Sequence, residues 1–173
     1  LQCMAYLHQA DPDYQLYIAG QPTEMLVKDY MEHQIRMLGL EKVVHYDQWQ
    51  SDIPFWLEDK QYIVVTSVIE SQGMGVLEAM AAGLKPVIYH FPGADEIYDK
   101  QYLFRNQEQF CSQILSDNFD SCQYRDFVER KYPLQKTLRL TNEILCSFEK
   151  NPVHTDKSTV FTPKSGKKIA QIV

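Results

Sequence analysis

Two carboxylates, two glycines and a serine in one short stretch can hold a ligand rich in hydroxyls or negative charge. Between Thr66 and Gly83 the chain places Ser67, Glu70, Gly73, Met74, Gly75 and Glu78, with seven residues separating the two glutamates. A carboxylate accepts hydrogen bonds from paired hydroxyls. A helix start lacking Cβ atoms lets backbone N–H groups approach an anion. The helical pattern from Gly73 to Gly83 puts Leu77, Met80, Ala81 and Leu84 on one face, the expected core stripe. Its other side carries Gly75, Ala79, Ala82 and Gly83, and Glu78 is the one charged residue. The helix is therefore expected to be covered all round, where a carboxylate is costly without a partner. That partner is a pair of ligand hydroxyls, or else a nearby lysine or backbone group. Glu70 reads as a loop acid that faces the same pocket or water. The glycines serve an anion or the turn itself. Neither G-x-G-x-x-G nor G-x-x-x-x-G-K-[ST] occurs, so the common dinucleotide and P-loop fingerprints are missing.

The elements that must position these residues alternate in type. Strand-like runs lie at Tyr14–Ala19, Val43–Tyr46, Tyr62–Thr66, Pro86–His90 and Tyr102–Phe104, rich in β-branched and aromatic residues. Several are apolar on both faces, as strands covered by helices on two sides are. Helical stretches are expected at Thr23–Leu38, stopped by Gly39, at Asp52–Asp59, at Gly73–Gly83 and at Gln107–Leu115. Strand and helix alternating through short connections predict an α/β fold, a Rossmann-like doubly wound parallel sheet with helices on both faces. After residue 118 the pattern turns helical. Leu134, Leu138, Thr141, Leu145 and Phe148 predict an amphipathic helix from Pro133 to Lys150, a helical C-terminal extension. Lys85, beside Pro86, reads as a solvated turn residue.

The domain reading is 1–118 for the α/β part, 119–150 for the C-terminal helices and 151–173 for a linker or tail. That tail ends in the strand-like run Lys168–Val173. At 173 residues and 45% hydrophobic composition the chain suits one packed domain. Seventeen Lys and Arg against 23 Asp and Glu give a charge of -6, which excludes a basic nucleic-acid footprint. No apolar run could span a bilayer. Cys3, Cys111, Cys122 and Cys146 show no metal-ligand spacing, and a reduced cytosolic protein is expected. The start at Leu1, with no leader, reads as a fragment boundary.

Taken in order, these motifs resemble a known family. The series runs from Leu16-Tyr17-Ile18-Ala19-Gly20 and Gly39-Leu40-Glu41-Lys42-Val43 to Glu70 and Glu78. It continues through Ala79-Met80-Ala81-Ala82-Gly83-Leu84-Lys85-Pro86-Val87-Ile88 to Pro92-Gly93-Ala94-Asp95-Glu96-Ile97. It is similar to the C-terminal, nucleotide-sugar-binding domain of family-4 glycosyltransferases of GT-B architecture, over roughly residues 5 to 118. The resemblance implies that Glu78 binds the ribose hydroxyls and that Glu70, the catalytic candidate, hydrogen-bonds the donor sugar. Gly73, Met74 and Gly75 would face the sugar and diphosphate. Ser67 matches a strand-end serine, residues 46–49 would line the base pocket, and Glu96 matches a glutamate of the family pattern. Thr66, Ser71-Gln72, Gln61 and Pro92-Gly93 depart from that pattern.

The implied reaction is sugar transfer from a nucleotide-diphosphate sugar, such as a UDP- or GDP-sugar, to a glycan, lipid or other acceptor. It would proceed with retention and with no metal or other cofactor. The resemblance also implies an upstream Arg and Lys for the diphosphate and an N-terminal acceptor domain. This chain begins too late to contain them or the first strand of the donor-binding domain, so it is expected to be inactive alone. Cytoplasmic location is implied, with the inner face of the membrane as an alternative. A non-catalytic glycosyltransferase-like module and a nucleotide-sugar epimerase of the same architecture stand as the other readings.

Overall fold

A computed structural model describes residues 1–20 and 24–150. The tail 151–173, with its expected terminal strand, lies outside the described residues. Residues Leu1–Tyr132 form one compact unit, and a second unit starts at Pro133.

The first unit alternates strand and helix. In chain order it contains α1 (Gln2–Ala10), β1 (Leu16–Ala19), α2 (Met25–Met37), β2 (Val44–Gln48), α3 (Ile53–Leu57) and β3 (Tyr62–Val65). There follow α4 (Met74–Ala82), β4 (Lys85–Tyr89), α5 (Ala94–Ile97), β5 (Leu103–Phe104), α6 (Gln107–Ile114) and α7 (Ser121–Lys131). Every strand pairing is parallel, as short strands linked through helices require. Among the described residues the strands form two sheets rather than one, a pair ordered β1-β2 and a triplet ordered β3-β4-β5. Leu16 lies opposite Val44, and Val64 lies opposite Val87.

Helices cover the triplet on both faces, because neighbouring strand residues point opposite ways. Val87 and Phe104 turn toward Met4 and Leu7 of α1 and Phe110 and Ile114 of α6. Ile88 turns toward Leu77 and Met80 of α4 and Tyr124 and Phe127 of α7. The α/β fold with helices on both faces is thus present, and the sheet is divided.

Local chemistry sets the helix ends. Gly39 adopts φ +68 beyond α2, and Leu40 N–H donates to the Ile35 carbonyl while Gly39 N–H donates to that of Arg36. Those two bonds are the Schellman closure that a left-handed glycine permits. Asp52, Asn106 and Asp120 cap α3, α6 and α7 by accepting from backbone N–H groups two or three residues on.

Two sequence expectations are corrected. Lys85 is not a solvated turn residue but the first residue of β4, 5% exposed. Its Nζ donates to the Gln113 carbonyl at 2.6 Å, to Ser116 Oγ at 2.9 Å and to Asn118 Oδ1 at 2.6 Å. Acceptors at the end of α6 replace the water that the ammonium loses, so burial is tolerated. Nor is α4 covered all round. Val76, Leu77, Ala79 and Met80 are buried, whereas Met74, Gly75, Glu78, Ala81 and Ala82 are exposed. Small residues there reflect an open face, and Ala79 takes the core position expected of Ala81. Helix α1 carried no sequence expectation.

In the second unit, α8 (Leu134–Lys150) forms as its spacing predicts. An Arg139–Glu143 pair at 3.6 Å spans one turn. Among the described residues, no helix is long and apolar enough to cross a membrane.

Candidate functional site

The carboxyl ends of parallel strands are where loops enter the next helix, and the glutamate pair lies at one such junction. β3 stops at Val65, and the loop from Thr66 to Gly73 leads into α4. Ser67 and Glu70 are half-buried in that loop, while Val68 and Ile69 are exposed, Ile69 to 85%. Gly73 is the N-cap of α4 at φ +65, ψ 54, a left-handed conformation that suits glycine.

Tyr98 holds this loop from beneath. It follows α5 and is 2% exposed, and its hydroxyl donates to the Gln72 carbonyl at 3.2 Å. A Cβ on Gly73 would collide with that hydroxyl, so glycine is required by space as well as by backbone angle. Burial, with the Tyr132 hydroxyl and the Glu70 carboxylate adding to it, pushes Tyr98 up to about 12. Glu70 is therefore close enough to act electrostatically on the tyrosine that anchors its own loop.

The start of α4 is open. Val76 and Leu77 N–H groups close on the Gly73 carbonyl, and no side chain caps the helix. No acidic residue occupies its first turn. Gly75 has open space where a Cβ would stand. Met74 is 57% exposed beside it. Glu78 follows Gly75 by three positions and Met74 by four, which puts all three on one helix face. An amino end with free N–H groups and no acid of its own attracts an anion.

The structure thus brings Gly73, Met74, Gly75 and Glu78 together on the exposed start of one helix, with Ser67 and Glu70 in the loop before it. Residues 46–49 lie at the carboxyl end of β2. Trp49 is 73% exposed there, and the Trp56 indole N–H donates to Asp47 Oδ2 at 2.7 Å. Gly20 N–H donates to the Gln48 carbonyl at 2.6 Å, which ties the ends of β1 and β2. Glu96 is exposed in the first turn of α5, and its side chain does not cap that helix. Lys131 Nζ instead donates to the Glu96 carbonyl at 2.9 Å and to the Ile97 carbonyl at 2.6 Å.

Sequence reading missed Tyr98 and Arg125. Arg125 Nη2 donates to the Ala82 carbonyl at 3.0 Å and packs where a Cβ on Gly83 would stand, closing the far end of α4. Both act across more than twenty residues of chain, and neither sits in a periodic pattern that could reveal it.

Fold and site together define a Rossmann-like α/β domain that offers an open helix start and acidic side chains at its strand ends. The chain belongs to the family of glycosyl transferases group 1, whose model matches residues 1–110. No curated protein matches the sequence. Among solved structures it is similar to a mutant of S. aureus TarM in complex with fondaparinux, alpha-GlcNAc-glycerol and UDP. That likeness has 22% identity and a TM-score of 0.72 over 83% of this chain and 31% of that one. It is similar to Anabaena HepE in complex with UDP-glucose, with 20% identity and a TM-score of 0.74, over 84% of this chain and 44% of that one. A glycosyltransferase from Rickettsia africae matches at 19% identity and a TM-score of 0.72, over 86% of this chain and 44% of that one. The chain therefore spans less than half the length of each of these neighbours.

Proposed function

We propose that the chain is the donor-binding half of a retaining glycosyltransferase, which moves a sugar from a nucleotide-diphosphate sugar to a glycan, lipid or other acceptor. The donor part is residues 1–118, with the helices of 119–150 as its extension. The observation that carries this reading is the uncapped start of α4, with Glu70 in the loop before it and Glu78 one turn into it. Group 1 membership supports it, as does likeness of fold to proteins solved with UDP or UDP-glucose.

Each residue has a task in this reading. The free N–H groups of Met74 and Gly75 meet the diphosphate, whose charge the helix start favours. Glu78, exposed on the same face, accepts from the two ribose hydroxyls. Glu70 accepts from hydroxyls of the donor sugar and fixes the anomeric carbon, while Ser67 lines the loop. Departure of the diphosphate is the step with the largest charge to stabilise. An Arg and a Lys carried outside residues 1–173 supply that stabilisation, and a separate N-terminal domain supplies the acceptor. The reaction needs no metal and no cofactor beyond the donor itself. The whole enzyme works in the cytoplasm, at the inner face of the membrane where its acceptor is a lipid.

Calorimetry with UDP, GDP and ADP and their sugars tests the reading. One of these nucleotides binds the isolated chain weakly, and Glu78→Ala costs about 1–3 kcal/mol of that binding, the worth of a charged hydrogen-bond partner. Absence of binding by every nucleotide overturns the donor role, and an unchanged affinity in Glu78→Ala removes Glu78 from the ribose. Sugar transfer by the 173-residue chain alone overturns its dependence on a second domain.

A further inference from the structure

Helix α2 carries two apolar stripes, and the core of the first unit uses only one. Met31 and Ile35, with Leu38 at the carboxyl cap, recur at the spacing of one helix face and are half-buried. Ile35 and Leu38 pack against the cluster that holds Leu40 and Val44. Leu26, Tyr30, His33 and Met37 recur on a second face, about a third of a turn away. All four are exposed, Leu26 to 76%. Steps of four, three and four residues are the seam along which two helices pack side by side. Among the described residues nothing packs on that seam closely enough to bury any residue of α2.

The charges beside the seam select its partner. Asp29 and Arg36 lie seven residues apart, so both fall on one flank of the stripe. When two copies of α2 meet antiparallel about a two-fold axis, Leu26 faces Met37 of the second copy and Tyr30 faces its His33. Asp29 then faces Arg36 of the second copy, and the axis repeats every pair. Among the described residues neither Asp29 nor Arg36 has an ion-pair partner, whereas Lys28 pairs with Glu32 at 3.7 Å. A parallel pair would set Tyr30 on Tyr30 and leave both charges unmatched. A membrane surface fits less well, because a helix that lies on anionic lipid has a cationic polar face. In α2 Lys28 and Arg36 are balanced by Asp29 and Glu32.

We propose that α2 is a self-association surface, on which a second copy of this chain docks through an antiparallel helix pair. Leu26, Tyr30, His33 and Met37 form its apolar seam, flanked by two Asp29–Arg36 ion pairs. A helix of 13 residues is about 20 Å long. Two such faces bury less than the roughly 1,200 Å² of a standard interface, so the dimer is weak and reversible. The inference is independent of the donor-site reading, since none of these residues belongs to that site.

Sedimentation velocity of the full 173-residue chain, at concentrations reaching about 1 mM, tests it. The sedimentation coefficient rises with concentration toward that of a dimer. Tyr30→Ser weakens the association about tenfold, because a central aromatic contact is lost from both copies. Asp29→Lys and Arg36→Glu each set like charges opposite one another and weaken it about tenfold as well. Mixing these two variants, or combining both substitutions in one chain, restores it, because opposite charges face each other again. All these positions are exposed, so unchanged circular dichroism is expected. Tyr30→Ser carries the test where a charge variant loses its fold. A chain that stays monomeric throughout overturns the proposal, and so does association that Tyr30→Ser leaves unchanged. Association abolished by Leu138→Ser but not by Tyr30→Ser assigns the contact to α8, with the same consequence. Charge variants that weaken association without recovery on mixing overturn the antiparallel pairing.

Discussion

The Tyr98 hydroxyl donates to the carbonyl of Gln72 at 3.2 Å and occupies the space where a side chain on Gly73 would begin. One buried tyrosine thus holds both the last residue of the loop and the first cap of α4. Replacing it tests how much of the site depends on that hold. Tyr98→Phe keeps the ring among Val76, Phe91 and Ala94 and removes only the hydrogen bond. The expected cost is about 0.5–1.5 kcal/mol in urea unfolding. Faster amide exchange at Gly73 and Met74 accompanies it, with exchange at Ile88 in β4 following only the global change. An unchanged rate at Gly73 removes Tyr98 from the anchoring role.

Gly73→Ala meets two obstacles that a second substitution separates. The left-handed backbone costs about 1–2 kcal/mol for a residue with a Cβ. Collision with the Tyr98 hydroxyl adds to that. In the double variant Gly73→Ala/Tyr98→Phe the collision is gone and the backbone strain remains. Its destabilisation therefore falls short of the sum of the single variants by at least about 0.5 kcal/mol, the usual size of coupling between touching residues. Additive costs in the unfolding cycle show that the hydroxyl and Cβ do not compete for space.

Alkaline stability should follow the buried tyrosines. Tyr62, Tyr98 and Tyr102 are each pushed up to about 12, by burial first in every case. The Tyr14 hydroxyl adds at Tyr62, and the Asp99 carboxylate adds at Tyr102. A folded value above the ordinary 10.0 means that the fold favours the neutral phenol. The stability this provides is fully present below pH 10 and is lost as pH rises from there through about 12. The last part of the tyrosinate absorbance to rise over that window should appear together with the loss of circular dichroism. Tyrosinate appearing in full near pH 10 with the fold intact contradicts the burial of these rings.

The sequence made the alternation of strand and helix legible because both periods are local. Gly39 and Pro133 likewise mark their helix ends by local chemistry. The grouping of Gly73, Gly75 and Glu78 at the start of α4 was legible for the same reason, since they lie within six positions. The error about α4 arose from reading small residues as a sign of cover. Alanine and glycine fit a tight contact and an open face equally well, and only the fold decides which. The division of the sheet, the anchor at Tyr98 and the buried ammonium of Lys85 depend on elements far apart in the chain. Tyr98 meets Gln72 across twenty-six positions, and Lys85 meets Asn118 across thirty-three. Helix α1 escaped notice because only Met4 and Leu7 of its nine residues are buried, too few for a stripe.

Lys85 gives the last prediction, in which pH acts opposite to an ion pair. Its Nζ meets a carbonyl, a hydroxyl and an amide oxygen, none of them charged. Burial therefore lowers its proton affinity from the ordinary 10.5 with no carboxylate to offset it. A lowered folded value means that the charged form is penalised in the fold relative to the unfolded chain. That penalty is present at neutral pH and is relieved as pH rises from the lowered value toward 10.5. Lys85→Met removes the penalty and strands the three acceptors, at a cost of about 1–3 kcal/mol. The stability gap between the parent chain and Lys85→Met should widen between neutral pH and 10.5, because only the parent gains. Tyr62, whose ring centroid lies 6.0 Å from Nζ, is pushed up to about 12 and so stays largely neutral across that window. Denaturant midpoints of the pair across that window measure it, and a gap that narrows with rising pH would show that a carboxylate partners the ammonium after all.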